Sequence, residues 1–309
     1  SSSIAEFIQK NPSAQKRDEV FTQPSPTGQY LLLSNSLLDM VEMGLSHLPA
    51  SLVALPEEIT QVIANRFQEQ VIKDVSHHLS DYFPNFFVAA LYELQLFFNQ
   101  NHTAAYIIGG ITRDLLISDE RRYDIEDVDI TIEGDAITAA TKLMEWSKNF
   151  KVTETFPQFG TAKVIYKDKL EIDLASTRRE QYTSCGALPK IIELGVPLKH
   201  DIIRRDFTVN SLALSVSQLG KVIDCTSGIK DIEQHELRVL KVISFFQDPS
   251  RIVRLLRFYC RLGFPPSAET TYLLEQFMAV CPSIYKGGGD RIKYDLFDFL
   301  ARSESTNKQ

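Results

Sequence analysis

The segment Asp127-Val128-Asp129-Ile130-Thr131-Ile132 alternates polar and apolar residues without a break, and a period of two restricts it to a β-strand. Side chains leave a strand on alternating sides, so Val128, Ile130 and Ile132 share one face and Asp127, Asp129 and Thr131 the other. The apolar face demands burial. The acidic face must meet water or a cation, because carboxylates held this close repel unless a proton or a metal intervenes. Leu170-Glu171-Ile172-Asp173-Leu174 repeats the pattern, with Glu171 and Asp173 opposite three apolar residues. If the two strands are neighbours, Asp173 completes a three-carboxylate cluster. Oxygen ligands of this kind suit Mg²⁺, and a cluster of three could hold two ions that activate a hydroxyl and stabilise a leaving pyrophosphate. For either strand alone, ordinary surface acids on an exposed face are the competing reading.

Ala104–Ile108 also reads as a strand, and Gly109-Gly110 after it as a tight turn opening a short helix over Thr112–Ile117. Two glycines let backbone N–H groups approach phosphate oxygens, and a helix N-terminus favours negative charge. Arg113 is placed to add a charge-assisted contact to a triphosphate. The turn carries neither the P-loop pattern nor that of a dinucleotide site. Residues 135–149 read as an amphipathic helix, and 161–166 and 170–175 as two strands joined across Lys167-Asp168. A hairpin among alternating strands and helices points to an α+β fold with a mixed sheet rather than a doubly wound one.

Upstream, residues 1–28 are rich in Ser, Gln and Pro and are expected to be poorly ordered. Residues 29–100 are expected to form a helical N-terminal extension. Pro56 starts a helix whose apolar residues Ile59, Val62, Ile63, Phe67, Val71, Val75 and Leu79 recur at helical spacing, and a second helix covers 86–99. The aromatic residues of 86–98 read as packing, and His77-His78 as solvent-facing.

Two basic segments lie downstream. Arg204-Arg205-Asp206-Phe207-Thr208-Val209-Asn210 combines cations for phosphates with the mixed donors and acceptors that a base edge requires. Asp248-Pro249-Ser250-Arg251 opens a helix, with Asp248 at the N-cap. On that helix Ile252, Leu255, Leu256, Tyr259 and Leu262 form an apolar arc. Arg251, Arg254, Phe258 and Arg261 lie beside it and Arg257 beyond. Solvated arginines would explain the pattern, and so would a nucleotide or an RNA backbone.

A formal net charge of −7 does not exclude a polyanionic partner, because acids outnumber bases over the first hundred residues and bases outnumber acids between 199 and 261. No stretch approaches the ~20 apolar residues of a membrane span. The four cysteines are far apart, which argues against a structural zinc site and fits reduced thiols in a cytoplasmic protein.

Taken in order, these segments resemble the class II tRNA nucleotidyltransferase and bacterial poly(A) polymerase family of the DNA polymerase beta superfamily. The resemblance runs from Gly109-Gly110…Arg113-Asp114 through Asp127-Val128-Asp129, Phe159-Gly160-Thr161-Ala162, Asp173-Leu174-Ala175…Arg178…Glu180…Tyr182 and Gly186-Ala187-Leu188-Pro189. It continues through Arg204–Asn210, Asp224…Gly228…Asp231 and Asp248–Arg254. It implies a nucleotidyltransferase head over 101–230, a helical neck over 231–303 that binds nucleotide and RNA, and a tail over 304–309. It further implies transfer of CMP, AMP or both from CTP or ATP to the 3′ acceptor end of a tRNA by a two-Mg²⁺ mechanism. In that scheme Asp127 and Asp129 hold the metals and Asp173 is the third catalytic carboxylate. Gly109, Gly110, Arg113, Arg204, Arg205, Asp206 and Asn210 bind nucleotide. Asp248 and Arg251, with Arg254, read its base, and Arg257 and Arg261 face RNA. CCA, CC, A and poly(A) addition all remain open.

Three departures stand out. Gln247 replaces the family's usual Glu, residues 1–100 lie outside the family head, and relatives continue past the neck into body and tail domains. A fragment, a replacement grip from the N-terminal helices, and measurement of the acceptor stem alone are the readings of the last point. Asp127-Val128-Asp129-Ile130-Thr131 also fits the D-x-D-x-T of haloacid dehalogenase-like phosphatases, in which the first aspartate is a nucleophile; the Gly-Gly-x-x-Arg-Asp unit ahead of it speaks against this. A catalytically inactive RNA-binding relative is the remaining alternative.

Overall fold

The computed structural model describes residues 70–118 and 124–284, with side chains to residue 279. The expectations for 1–69 and 285–309 lie outside the described residues. Two compact units emerge: Gln70–Glu180 with Ile191–Ile232, and a second that takes in Gln181–Lys190 and the chain from Glu233.

The first unit is built in chain order from β1 (Val71–Asp74), α1 (Asn85–Gln100), β2 (Ala105–Ile108), α2 (Gly110–Ile117), β3 (Asp127–Ile132), α3 (Ala136–Trp146), β4 (Phe150–Phe156), β5 (Thr161–Tyr166) and β6 (Leu170–Ser176). It continues with β7 (Arg178–Gln181), β8 (Lys190–Leu194), α4 (Leu198–Ile203), β9 (Ala213–Ser215), β10 (Lys221–Asp224) and α5 (Gly228–Glu233). Eight strands form one sheet in the order β1-β10-β9-β2-β3-β6-β5-β4, while β7 and β8 pair separately. The pairing of β3 with β6 is parallel and its neighbours are antiparallel, so the mixed α+β sheet expected from the hairpin is present.

One face of the sheet is apolar. Val128, Ile130, Ile132, Val164, Tyr166, Leu170, Ile172 and Leu174 are all buried. Helix α3 packs over β4, β5 and β6, and Phe86 of α1 meets the Tyr166 ring at 5.4 Å. Asp135 caps α3 by accepting from the N–H groups of Ile137 and Thr138. The other face is covered over only part of its width. Leu198 and Ile202 of α4 form a buried cluster with Tyr106, Ile108, Ala213 and Cys225. Thr131 lies opposite Tyr106 in the β2–β3 register and is 5% exposed, so the accessible acids are those beyond it, at Asp129 and Asp127.

One element departs from expectation. The helical spacing read through Val71, Val75 and Leu79 is broken by β1, because Val71-Ile72-Lys73-Asp74 pairs in register with Lys221–Asp224 of β10. Two adjacent β-branched residues and a sheet edge outweigh a periodicity that helix and strand both tolerate. Only Ser76–Tyr82 is helical there.

In the second unit, α6 (Arg251–Leu262) and α7 (Ala268–Ile284) are the main helices. Phe246 meets Phe277 of α7 edge-on at 5.1 Å, and Arg238 pairs with Glu236 and Glu269. Helix α6 buries Arg251, Val253, Leu255 and Phe258, whereas Leu256 and Tyr259 of the expected apolar arc are half-exposed. The buried stripe is thus rotated toward the arginine-bearing side. Phe258, which the projection had grouped with the arginines, provides its apolar anchor.

Candidate active site

Strand alternation and the parallel register of β3 and β6 build the acidic cluster. Asp129 is the direct partner of Asp173, and Asp127 of Glu171. Side chains of residues in register point to the same side of a sheet, so Asp127, Asp129 and Asp173 share the accessible face. Their fields meet at Asp129, whose carboxyl is pushed above the usual range by loss of hydration, then by Asp173 and Asp127; Arg205 acts in the opposite direction. Among the described residues, no three His, Cys, Asp or Glu side chains close on a single point as a self-sufficient metal cage. Mg²⁺ does not need one, since it binds one or two carboxylates and completes its shell with water and substrate phosphates. An all-oxygen donor set whose negative charges already oppose one another fits that ion.

Arg205 reaches the cluster from just beyond the end of α4. Asp201, in the last turn of that helix, has a fully buried side chain and binds Arg204 Nε and Arg205 Nη2, each at 2.9 Å. Its Oδ1 also accepts the Arg178 N–H. Burial favours the protonated form of Asp201, but the charges of Arg205 and Arg204 outweigh it and hold the pKa below the usual carboxylate value. Arg204 also pairs with Glu180, which binds Arg178 in turn. Of the two adjacent arginines, Arg205 is therefore the one whose charge reaches Asp129, and Arg204 belongs to the scaffold around Asp201 and Glu180.

The glycine turn follows β2. Gly109 has φ +111°, a conformation open to glycine and strained for other residues, and a side chain there would lie 3.7 Å from Asn210 Oδ1. Thr112 donates its hydroxyl to the Ile107 carbonyl at 2.7 Å, fastening α2 back onto the strand. Arg113 is turned inward. At 1% exposure its guanidinium binds Asp114 Oδ1 through Nε at 2.8 Å and Nη2 at 2.6 Å, and Asn210 Oδ1 through Nη1 at 3.2 Å. Sequence alone pointed this group at phosphate; the structure makes it the brace between the turn and Asn210.

Asp206 is buried and accepts the Phe207 N–H. The Thr208–Asn210 turn is then locked by α5. Thr208 donates to Asp231 at 2.6 Å, Asp224 accepts from the Thr226 and Ile229 N–H groups, and a side chain at Gly228 would lie 2.4 Å from the Thr208 carbonyl oxygen. The Asp224…Gly228…Asp231 pattern thus anchors the Arg204–Asn210 segment.

In the second unit, the carboxylate of Asp248 accepts from the Ser250 N–H at 3.1 Å and its hydroxyl at 2.6 Å. Helix α6 begins at Arg251, so Asp248 caps the turn before it rather than the first helical residue. Arg251 is 4% exposed and binds the Ser244 hydroxyl at 2.6 Å. Arg254 stacks over Phe258 at 5.7 Å, Arg257 is half-buried and Arg261 exposed.

Lys163 escaped the sequence reading. It is the register partner of Asp173 on β5, with Nζ 4.0 Å from Asp173 Oδ1. The expected strands 161–166 and 170–175 would have revealed it, because counting back equally from their facing ends, Tyr166 and Leu170, pairs 163 with 173. Asp201 was missed as well, since a single acid four residues before an arginine has no distinguishing pattern.

Residues 105–238 match the model of the poly A polymerase head domain family. The chain is 35% identical over 234 residues to an A-adding tRNA nucleotidyltransferase of Geobacter sulfurreducens, covering 75% of this chain and 26% of that protein. It is 42% identical over 174 residues to the A-adding tRNA nucleotidyltransferase of Aquifex aeolicus, covering 56% of this chain and 20% of that one. A solved CCA-adding enzyme in an apo form matches with TM-score 0.65 and 29% identity, over 75% of this chain and 53% of the other. The Thermotoga maritima CCA-adding enzyme complexed with tRNA matches with TM-score 0.59 and 26% identity, over 75% and 51%. This chain spans about a quarter or less of the length of the two A-adding relatives.

Proposed function

From the match of residues 105–238 to the poly A polymerase head domain family, we propose that this chain transfers CMP, AMP or both from CTP or ATP to the 3′ end of a tRNA. The observation that carries the reading is the register of Asp129 with Asp173, which gathers the acids of two distant strands onto one accessible face.

Asp127 and Asp129 would hold Mg²⁺ with the triphosphate, and Asp173 would complete the site. Bound there, the ions supply the positive charge that activates the RNA hydroxyl and stabilises the leaving pyrophosphate. The Gly109-Gly110 turn presents backbone N–H groups to the phosphates, held in shape by Arg113 and Asn210. Arg205 adds a fixed cation beside the acids. Asp248 and Arg251, supported by Arg254, carry the donor and acceptor groups that would read the base, and Arg257 and Arg261 would face RNA. The arrangement requires no template, since protein groups do the reading.

The test is extension of labelled tRNAs lacking CCA, CA or A, with CTP and ATP supplied separately with Mg²⁺. Extension by one to three nucleotides is expected. A long adenylate tail would reassign the chain to poly(A) synthesis, hydrolysis of nucleotide without extension would indicate a phosphatase, and RNA binding without extension an inactive relative.

A further inference from the structure

The acidic face carries a row of charges that runs across four strands. Asp129 on β3, Asp173 on β6, Lys163 on β5 and Glu154 on β4 are successive register partners. The strand order also gives the site two distinct flanks. The glycine turn closes β2, which adjoins β3 on one side, while Asp173 and then Lys163 lie on the other.

We propose that Lys163 is a positioning residue for the RNA, binding the internucleotide phosphate nearest its 3′-terminal hydroxyl on the β5–β6 flank while the incoming triphosphate occupies the β2 flank. The inference rests on the nucleotidyltransferase reading above and extends it to the acceptor side. An RNA phosphate approaching Asp173 from this flank meets Asp129, Asp173 and Glu154, all repulsive. The triphosphate has the N–H groups of a helix start on its own flank. Arg205 follows the end of α4 and is tied to Asp201, and Lys151 of β4, in the adjacent row with Glu171 and Asp127, is paired with Asp168, which leaves Lys163, among the described residues, as the cation in the row of Asp129 and Asp173 on the acceptor side. Its side chain is 43% exposed, and its contact with Asp173 sits at the 4.0 Å limit of an ion pair. An exposed pair of this kind contributes little to stability, so the ammonium can be recruited by a phosphate at little cost. A compact, mobile point charge suits a phosphate whose exact position shifts as the RNA end is lengthened.

The experiment measures binding of a fluorescent tRNA acceptor stem to the full chain without nucleotide, as a function of salt. One RNA carries the single-stranded 3′ overhang and the other ends blunt. Lys163→Ala is expected to weaken binding of the overhang RNA about 3–10-fold and to make the slope of log affinity against log salt shallower by about 0.7, the loss of one single-strand phosphate contact. The blunt RNA should bind both proteins equally, and Lys163→Arg should restore the overhang preference. In steady state the variant should raise KM for RNA and leave KM for nucleotide unchanged. Unchanged overhang binding, an equal loss on both RNAs, or a rise confined to nucleotide KM overturns the proposal. Failure of the wild-type chain to extend any RNA would instead remove the nucleotidyltransferase reading, and the binding comparison would still decide the role of Lys163.

Discussion

At the scale of single residues, Asp129 is the most informative side chain. Its neighbours and its partial loss of hydration raise its pKa above the unfolded value near 3.8, so its ionisation is less favourable in the fold than out of it. The resulting stability cost is absent well below pH 3.8 and complete once the pH has risen past the raised native value. Asp129→Asn is therefore expected to raise the thermal midpoint of the metal-free protein at pH 7, with the difference vanishing at low pH. The same change should abolish the stabilisation that Mg²⁺ gives the wild type and reduce transfer by on the order of 10²–10³-fold or more. Thermal melts with and without Mg²⁺ across pH would check the first part, and single-turnover rates the second. Arg251 offers a contrast from the other unit. Arg251→Ala should raise KM for nucleotide and blunt the choice between CTP and ATP by about tenfold, the scale of one base contact. The Mg²⁺-dependent thermal shift should survive, because Asp127 and Asp129 lie in the first unit.

Secondary-structure elements decide which of these side chains can act. Helix α4 carries Asp201, and Asp201 fixes Arg205, just beyond the end of the helix, beside the acids. Asp201→Asn removes the buried carboxylate that pairs with Arg205 and one of the two that hold Arg204, and is expected to destabilise the fold by about 3 kcal/mol, read as a lowered denaturant midpoint. Asp201 has a depressed pKa, so its contribution is present above pH 3.8 and lost as the pH falls through the native value; the variant should lack that acid sensitivity. Gly228→Ala drives a methyl group into the Thr208 carbonyl and should cost about 1–3 kcal/mol, together with lower affinity for nucleotide triphosphate as the Thr208–Asn210 turn shifts. Equilibrium unfolding and nucleotide titration would separate the two effects.

Strands with strict alternation were legible because burial on one face imposes the pattern: β3, β5 and β6 follow from residues 127–132, 161–166 and 170–175 alone. Strand β1 was not legible. Its pairing with β10 joins segments separated by most of the unit, and no local period records a partner so far away. The acids of the site were visible as residue types at a spacing. The inward turn of Arg113 and the capture of Arg204 by Asp201 and Glu180 were not, since they depend on which acids arrive from other elements.

Across the whole molecule, an acidic chain with a formal charge of −7 is expected to approach RNA through local basic groups, in competition with its own acids. The two units divide the groups of the proposed reaction. The sheet of the first carries the acids and the glycine turn, and the second carries Asp248 ahead of α6 and Arg251 and Arg254 on it.

Strands β3 and β6 run alongside each other in the same direction, and such neighbours cannot be joined by a tight turn. Here the intervening chain is α3 and the β4–β5 hairpin, all of which must be laid down before the two aspartates meet. During synthesis, a ribosome that has released β3 but not β6 holds a chain with Asp127 and Asp129 of the proposed site and no Asp173 beside them. Completion of the crossover thus sets the third carboxylate, and a pulse-labelled nascent chain should acquire the full proposed site in a single late step.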